Sequence, residues 1–349
     1  MDKARAQAPF QICGMEIAPG ERRRIDIPVS LLSNHTGMNL SVEVVHGRKQ
    51  GPVLFVSGAV HGDEIIGVEI VRRLRREPAL RNLAGTLLLV PVVNAFGFVG
   101  LSRYLPDRRD LNRSFPGSQS GSLAAQLAHL FMKEIVGRSG YGVDLHSGAV
   151  HRANLPQIRA KLDEEKIREL ASAFGAPIVL NAQLRDGSLR QAAQERGCLM
   201  LLYEAGEALR FDEKSVRIGV RGVLNVMRSL GMIAAGRTRP QNGAVFSNRT
   251  SWARAPMGGV MRARKSLGDI VEEGDILAIV ADPFGVTEIE IAAGAGGVII
   301  GKTNIPVVNR GDALFHIAEV VDAAYAGEVI DGMETDLEDR ALPDAIGII

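Results

Sequence analysis

Apolar positions along the chain fall into two patterns. Residues 40–47, "LSVEVVHG", alternate apolar and polar as a half-buried strand does, and "GPVLFVSGAV" follows as a continuous run, as in a strand buried on both faces. From 63 to 77 the spacing becomes helical. Ile65, Ile66, Val68, Ile70, Val71 and Leu74 form one face, Arg72, Arg73, Arg75 and Arg76 the other, and Pro78 stops the helix. A buried strand, "GTLLLVPVVN" at 85–94, leads into a long polar loop that ends near residue 120. A helix over 122–137 and a strand in "GYGVDLHSG" come next. The pattern continues with helix 161–174, strand 176–181, helix 188–196, strand 198–206 and helix 212–230. Such alternation predicts an α/β fold: a mixed, mostly parallel sheet flanked by helices.

The texture changes between residues 240 and 318, where helical periodicity gives way to short β runs separated by glycine turns. Two related halves stand out, each with a Gly-Asp turn before an apolar strand: "EEGDILAIV" and "NRGDALFHI". The expected organisation is an α/β domain over 1–237 with an N-terminal β extension, a small all-β domain over 238–320, and a tail over 321–349. The tail is acidic and carries little structural signal.

Composition acts mainly by exclusion. A chain of 349 residues is long for a single core and favours two domains. An apolar content of 46% is too high for disorder. A formal charge of +1 argues against a nucleic-acid partner. The basic runs "ERRR" at 21–24 and "RRLRRE" at 72–77 read as solvated faces. The first twenty residues hold no run suited to a signal peptide, and no apolar stretch reaches the roughly 18 residues of a membrane helix. The expectation is a cytoplasmic protein without a membrane partner. Cys13 and Cys198 are too few and too distant for a disulfide framework or a thiolate metal site.

Ligands in such sheets collect at the carboxyl ends of the strands, and three polar clusters lie there: "HGDE", "DLHSG" and "YEAGE". A catalytic zinc takes three protein ligands and keeps one open position. His61 and Glu64 lie three apart where the chain enters a helix, so one turn can aim both at one metal, and His146 can complete the set. Asp144 is placed to accept a hydrogen bond from a ligand imidazole. Asp63 is expected to cap or buttress the turn.

A general base must also move a proton, and Glu204, with Glu207 as its nearest competitor, ends a strand on the same edge. The loop "SRYLPDRRDLNRSFPG" is rich in arginine, whose planar fork suits carboxylates and oxyanions. His151, Arg152 and Asn154 follow the third ligand and are candidates to line a substrate pocket. Ser147 is set aside as a nucleophile because its neighbour His146 serves better as a ligand. His35, His46, His129 and His316 read as surface or satisfied core residues, and Trp252 as packing between domains.

Taken in order, "HGDE", "DLNRSFPG", "DLHSG" and "YEAG" resemble the succinylglutamate desuccinylase/aspartoacylase family of the zinc-carboxypeptidase-like superfamily, over about residues 45–235. The resemblance implies one Zn2+ per chain on His61, Glu64 and His146, and Glu204 as the general acid/base. It implies that Asn112 and Arg113 hold the substrate carboxylate. It also implies an upstream arginine that polarises the scissile carbonyl, with Arg103 the best match and Arg108 close by. The implied activity is a zinc-dependent amidohydrolase in which zinc-activated water removes the N-acyl group from an amino acid or related small amine. Two alternatives stand beside it: a carboxypeptidase-like hydrolase of short peptides, and a catalytically silent ligand-binding protein. The C-terminal β region resembles the biotinyl/lipoyl-like module of this family, but "ADPFGVTE" lacks the lysine of a swinging-arm carrier. Self-association is left open.

Overall fold

The computed structural model describes residues 7–235 and 243–339; the expected domain boundary at 237–238 lies outside them. The chain opens with a small hairpin, β1 (Phe10–Ile12) and β2 (Met15–Ile17). There follow β3 (Arg22–Leu31), β4 (Gly37–His46), β5 (Lys49–Gly58), α1 (Ile66–Leu74), β6 (Ala84–Val90), α2 (Ala95–Val99) and α3 (Leu123–Glu134). Next come β7 (Tyr141–Gly148), β8 (Arg152–Ala160), α4 (Glu165–Phe174), β9 (Ile178–Asn181), α5 (Leu189–Gln194), β10 (Leu199–Glu207) and α6 (Glu213–Ser229). The C-terminal part comprises β11 (Val245–Ser247), β12 (Thr250–Arg254), β13 (Gly259–Ala263), β14 (Ile270–Val271) and β15 (Ile276–Ala281). It ends with β16 (Glu288–Ala292), β17 (Gly297–Thr303), β18 (Val307–Val308), β19 (Ala313–Ala318) and α7 (Ala323–Asp339).

The principal sheet is mixed and flanked by helices, as the alternation predicts. Its central strands, β6-β5-β7-β10, are parallel; antiparallel β4 and β8 flank them, and β9 pairs parallel with β8 and β11. Side chains alternate across each strand. Leu201, Tyr203 and Ala205 of β10, with Val143 and Leu145 of β7, join the core beneath α1, α4 and α6. Phe55 and Met200 face the opposite core with α3 and α5. Asp144 and His146, offset by one residue from Val143 and Leu145, therefore project from the α3/α5 side. Helix α1 sits very close to the sheet: a Cβ on Gly67 would lie 2.8 Å from Gly58 Cα and 2.9 Å from Leu145 Cβ. Glycine at that position lets the first turn of α1 seat directly on the strand end.

Three differences from the sequence reading bear on function. Residues 152–160 form a strand rather than a pocket loop. Arg152, Asn154 and Arg159 turn to one side while Leu155 and Ile158 enter cores, and Pro156 falls at a break in the β8–β10 register. The C-terminal strands form a β region with its own four-stranded sheet, β16-β15-β13-β18. Its β17 also pairs with β8 (Gly301 opposite Asn154), so the principal sheet runs on into β19 and β12. Finally, the acidic tail is not featureless: Ala323–Asp339 is helical and buries Ala326, Val329 and Ile330 against Leu155, Ile178 and Val298. Both Gly-Asp turns form as expected, with Gly274 and Gly311 at φ +93° and +90° and the following Asp275 and Asp312 each accepting a backbone N–H.

Candidate active site

A cleft of about 540 Å³ opens over the carboxyl ends of β5, β7 and β10. Directly after β5, the Glu64 N–H donates to the His61 carbonyl at 3.1 Å, and this tight turn brings both side chains to one point. Both are buried. His61 Nδ1 lies 2.7 Å from Glu64 Oε1, and His146 Nδ1 lies 2.7 Å from Glu64 Oε2. Each ring also has a carboxylate behind it: Asp110 Oδ1 is 3.1 Å from His61 Nε2, and Asp144 Oδ2 is 2.7 Å from His146 Nε2. Ser57 Oγ donates to Asp144 at 2.7 Å, fixing the deepest member of the chain. The backbone N–H of Ser147 donates to Glu64 at 3.2 Å, and its hydroxyl donates to the Gly148 carbonyl at 2.8 Å.

This arrangement fits a bound cation. A neutral imidazole has one N–H, yet all four ring nitrogens of His61 and His146 face carboxylate oxygens. If the Nε2–H groups donate to Asp110 and Asp144, the two Nδ1 lone pairs converge on Glu64, an unfavourable contact that a cation between them would relieve. Without one, burial disfavours charge on both rings, but the surrounding carboxylates prevail and hold both imidazoles above their ordinary pKa. Burial likewise opposes ionisation of Glu64, and the two imidazoles outweigh it and hold its carboxyl well below the usual range. One donor atom from each of His61, Glu64 and His146 lies within 4.8 Å of the others, the single such cluster among the described residues.

The remaining candidates are placed as follows. Arg103 lies in the cleft, with Nη1 3.0 Å from Glu64 Oε1, while Nη2 and Nε bind Asp110 Oδ2 at 3.0 and 3.3 Å. Arg108 is exposed, has a positive φ of 59° and lies outside the cleft lining. Asn112 and Arg113 both line the cleft; Asn112 Oδ1 accepts the Leu189 N–H at 2.9 Å, and Arg113 Nη1 donates to the Asn112 carbonyl. Glu204 lies opposite His146 in the β10–β7 register. Its Oε2 accepts from Asn154 at 2.8 Å and pairs with Arg159 at 3.2 Å, while Oε1 has no partner among the described residues. Glu207 instead ties the His151 N–H to Asn304, outside the cleft. His151 is exposed and also outside the lining, whereas Arg152 is within it, over the Trp252 ring at 5.6 Å.

Two expectations are corrected and a third is refined. Asp63 does not cap α1, whose first residues have no side-chain cap; it is buried, its Oδ1 has no protein partner, and burial followed by the nearby Glu64 raises its carboxyl pKa. Its backbone carbonyl does anchor the Leu209 N–H at 2.9 Å. Trp252 does pack between the α/β part and the C-terminal β region, between Arg152 of β8 and His316 of β19, but it does so from strand β12, where it also lines the cleft and stacks on His316 with ring centroids 4.2 Å apart at 6°. His316 is buried, and neither ring nitrogen has a protein partner. His46 is a satisfied core residue, bound to Thr86 and the Ala8 carbonyl at 2.9 Å each. Asp110, inside "DLNRSFPG", also reaches the site, a placement that its sequence position did not lead one to expect. Arg159 and His316 reach the cleft only through long-range strand pairing, and Arg185 through the loop after β9.

Similarity to known proteins agrees with this geometry. Residues 50–230 match the family model of the succinylglutamate desuccinylase/aspartoacylase catalytic domain. An N-alpha-acetyl-L-2,4-diaminobutyric acid deacetylase from Halomonas elongata is 28% identical over 312 residues, covering 86% of this chain and 91% of its own. Among solved structures, a succinylglutamate desuccinylase/aspartoacylase from Rhodobacter sphaeroides superposes with a TM-score of 0.78 at 25% identity, over 90% of this chain and 100% of that one. The ectoine utilization protein EutE (DoeB) from Ruegeria pomeroyi shares the fold, with a TM-score of 0.78 at 22% identity over 89% and 98% of the two chains. No helix among the described residues is long and apolar enough to cross a membrane.

Proposed function

The chain belongs to the succinylglutamate desuccinylase/aspartoacylase family, and on that premise we propose that it is a zinc-dependent amidohydrolase that removes the N-acyl group from an amino acid or related small amine. The observation that carries this reading is the convergence of His61, Glu64 and His146, each imidazole backed by its own carboxylate, beside Glu204 in one cleft. The three donors would hold zinc, a fit for its usual nitrogen and oxygen ligands. Bound there, zinc would supply Lewis acidity and activate water near neutral pH.

The protein's own groups do the rest. Asp110 and Asp144 fix the two ring orientations, and Ser57 fixes Asp144. Glu204 Oε2 is held by Asn154 and Arg159, which leaves Oε1 to take a proton from the attacking water and return it to the leaving amine. The Asp110 pairing fixes the plane of Arg103 and keeps Nη1 beside the metal donors, where the scissile carbonyl oxygen gains negative charge. Arg113 has no carboxylate partner among the described residues and anchors the substrate carboxylate, with buried Asn112 setting its position. The substrate is therefore a small N-acylated molecule.

The test combines metal analysis of purified protein with amide hydrolysis on a panel of N-acyl amino acids, with and without chelator. Near-stoichiometric zinc and chelator-sensitive release of free amine are expected. A protein that binds no zinc yet hydrolyses these amides would overturn the metal assignment. Zinc binding without turnover of any N-acyl amino acid or short peptide would overturn the activity.

A further inference from the structure

Read singly, the two basic runs at 21–24 and 72–77 are solvated faces, but folding brings them to one place. Arg22, Arg75 and Arg76, together with Arg48, Lys49 and Arg81, line a cavity of about 580 Å³. It lies where β4 ends and β5 begins, at the opposite end of β5 from His61. The framework of the cavity is backbone. The Gly20 N–H donates to the His46 carbonyl at 2.8 Å, the His46 N–H to the Glu21 carbonyl at 2.9 Å, and the Gly47 N–H to the Gly85 carbonyl at 2.9 Å. A Cβ on Gly47 would lie 2.1 Å from the Leu83 carbonyl oxygen, so the walls meet at main-chain contact. The floor of the concavity is thus backbone, and six exposed cationic side chains stand around it.

Its charge is one-sided. Against six cationic side chains the lining offers two carboxylates, Glu21 and Glu77. Glu21 is engaged by Arg23 and the Ala18 N–H. Burial raises the pKa of Glu77. At the rim, Glu43 is shared between Arg22 and Arg75. Arg48, Lys49, Arg76 and Arg81 form no ion pair with any carboxylate among the described residues. The whole chain carries only +1, so this concentration is local and not the by-product of a basic protein. Unpartnered like charges gathered on one concavity repel one another and favour a counter-charge.

We propose that this cavity is a binding site for a small ligand carrying two or more adjacent phosphoryl groups. Arginine forks pair with phosphate oxygens in bidentate fashion, and four free cations around one hollow match several linked anions better than one. The volume falls within the range of small-molecule sites. A nucleic acid would need a basic track across the surface, whereas these exposed cations gather around one open hollow. The proposal is independent of the amidohydrolase reading.

Isothermal titration of the full-length protein with inorganic triphosphate, ATP and inorganic phosphate tests it. Oligophosphates chelate metals, so the same titrations are run on chelator-treated Glu64→Ala protein. Expected are one saturable triphosphate site per chain, retained in the Glu64→Ala protein, weakened by salt, and roughly tenfold or more tighter than for orthophosphate. The double substitution Arg76→Ala, Arg81→Ala should weaken triphosphate binding by about tenfold or more, with an unchanged far-UV spectrum and melting temperature because both side chains are exposed. Lys133→Ala, a surface cation elsewhere, should change nothing. Equal affinities for triphosphate and ATP would mean that only the phosphoryl chain is read; tighter ATP binding would add a contact to the nucleoside. No saturable binding, binding unchanged in the double variant, or binding lost in the Glu64→Ala protein would each overturn the proposal.

Discussion

The two walls of the cleft are built on opposite terms. On the wall formed by β5, β7 and the loop carrying Asp110, every ring nitrogen of His61 and His146 and both oxygens of Glu64 are engaged. Across the cleft, on the wall formed by β8, β12 and β19, both nitrogens of His316 and Nε of Arg159 are buried without a protein partner. An over-determined network holds donors within the small tolerance that bond chemistry requires. Each unpartnered buried group costs about 1–3 kcal/mol until water or a ligand satisfies it. On the proposed reading the first wall serves catalysis and the second recognition, and a variant on each should fail in its own way.

The sharpest break comes from His146→Ala, which removes a donor and leaves Asp144 buried without its imidazole. Bound metal should fall to a small fraction of one per chain, and amide hydrolysis should drop by at least about a thousandfold; elemental analysis and initial rates on the same preparation decide it. Glu204→Gln should lower kcat by roughly 10²–10⁴ while metal content stays normal. Near-normal activity in that variant would remove Glu204 from the proton path. Asp110→Asn should weaken metal affinity by about 10–100-fold, because it supports a donor without being one; competition with a coloured chelator measures this. Arg113→Ala should raise KM by roughly 10–100-fold with a smaller change in kcat, as loss of a charge-assisted contact predicts. A fall in kcat at constant KM would place Arg113 in the chemistry instead.

The smallest effect is read on the other wall. Burial, with Arg159 and Arg185 adding to it, lowers the His316 pKa from 6.5 to about 3. The ring faces Trp252 from β12, Arg159 from β8 and Arg185 from the loop after β9. Between these two pH values the unfolded chain binds a proton that the folded one does not. The stabilising contribution is thus complete above pH 6.5 and declines as pH falls towards 3, by up to about 1.4 kcal/mol per pH unit. His316→Phe keeps an aromatic ring for stacking and should flatten this slope in urea denaturation run between pH 7 and 5. Parallel slopes in the two proteins would show that the ring titrates normally.

Local signals made the first wall readable from sequence. His61 and Glu64 are close in the chain, and His146 and Asp144 share one strand, so spacing together with the polar strand ends points to them, and the family resemblance implies the full set. Asp110 carries the same kind of local signal, two residues before Asn112, but the arginines around it dominate that loop's chemistry. The second wall had no such signal, since Trp252, His316 and Arg159 meet only when β12, β19, β17 and β8 pair across long stretches of chain. Polar residues on one face of β8 and Pro156 within it hid its strand pattern. Helix α7 hid differently: Ala326, Val329, Ile330 and Met333 follow helical spacing, but the acidic composition around them drew attention away from it.

The pairing of β17 with β8 also bears on how the chain could be cut. Removing everything after residue 242 would leave the Arg152–Asn154 segment of β8 without its hydrogen-bonding neighbour and expose Leu155, Ile178 and Leu180, now covered by β17, β19 and α7. An uncovered strand edge beside fresh apolar surface invites self-association. The catalytic half expressed alone should therefore aggregate, however complete its metal donors remain.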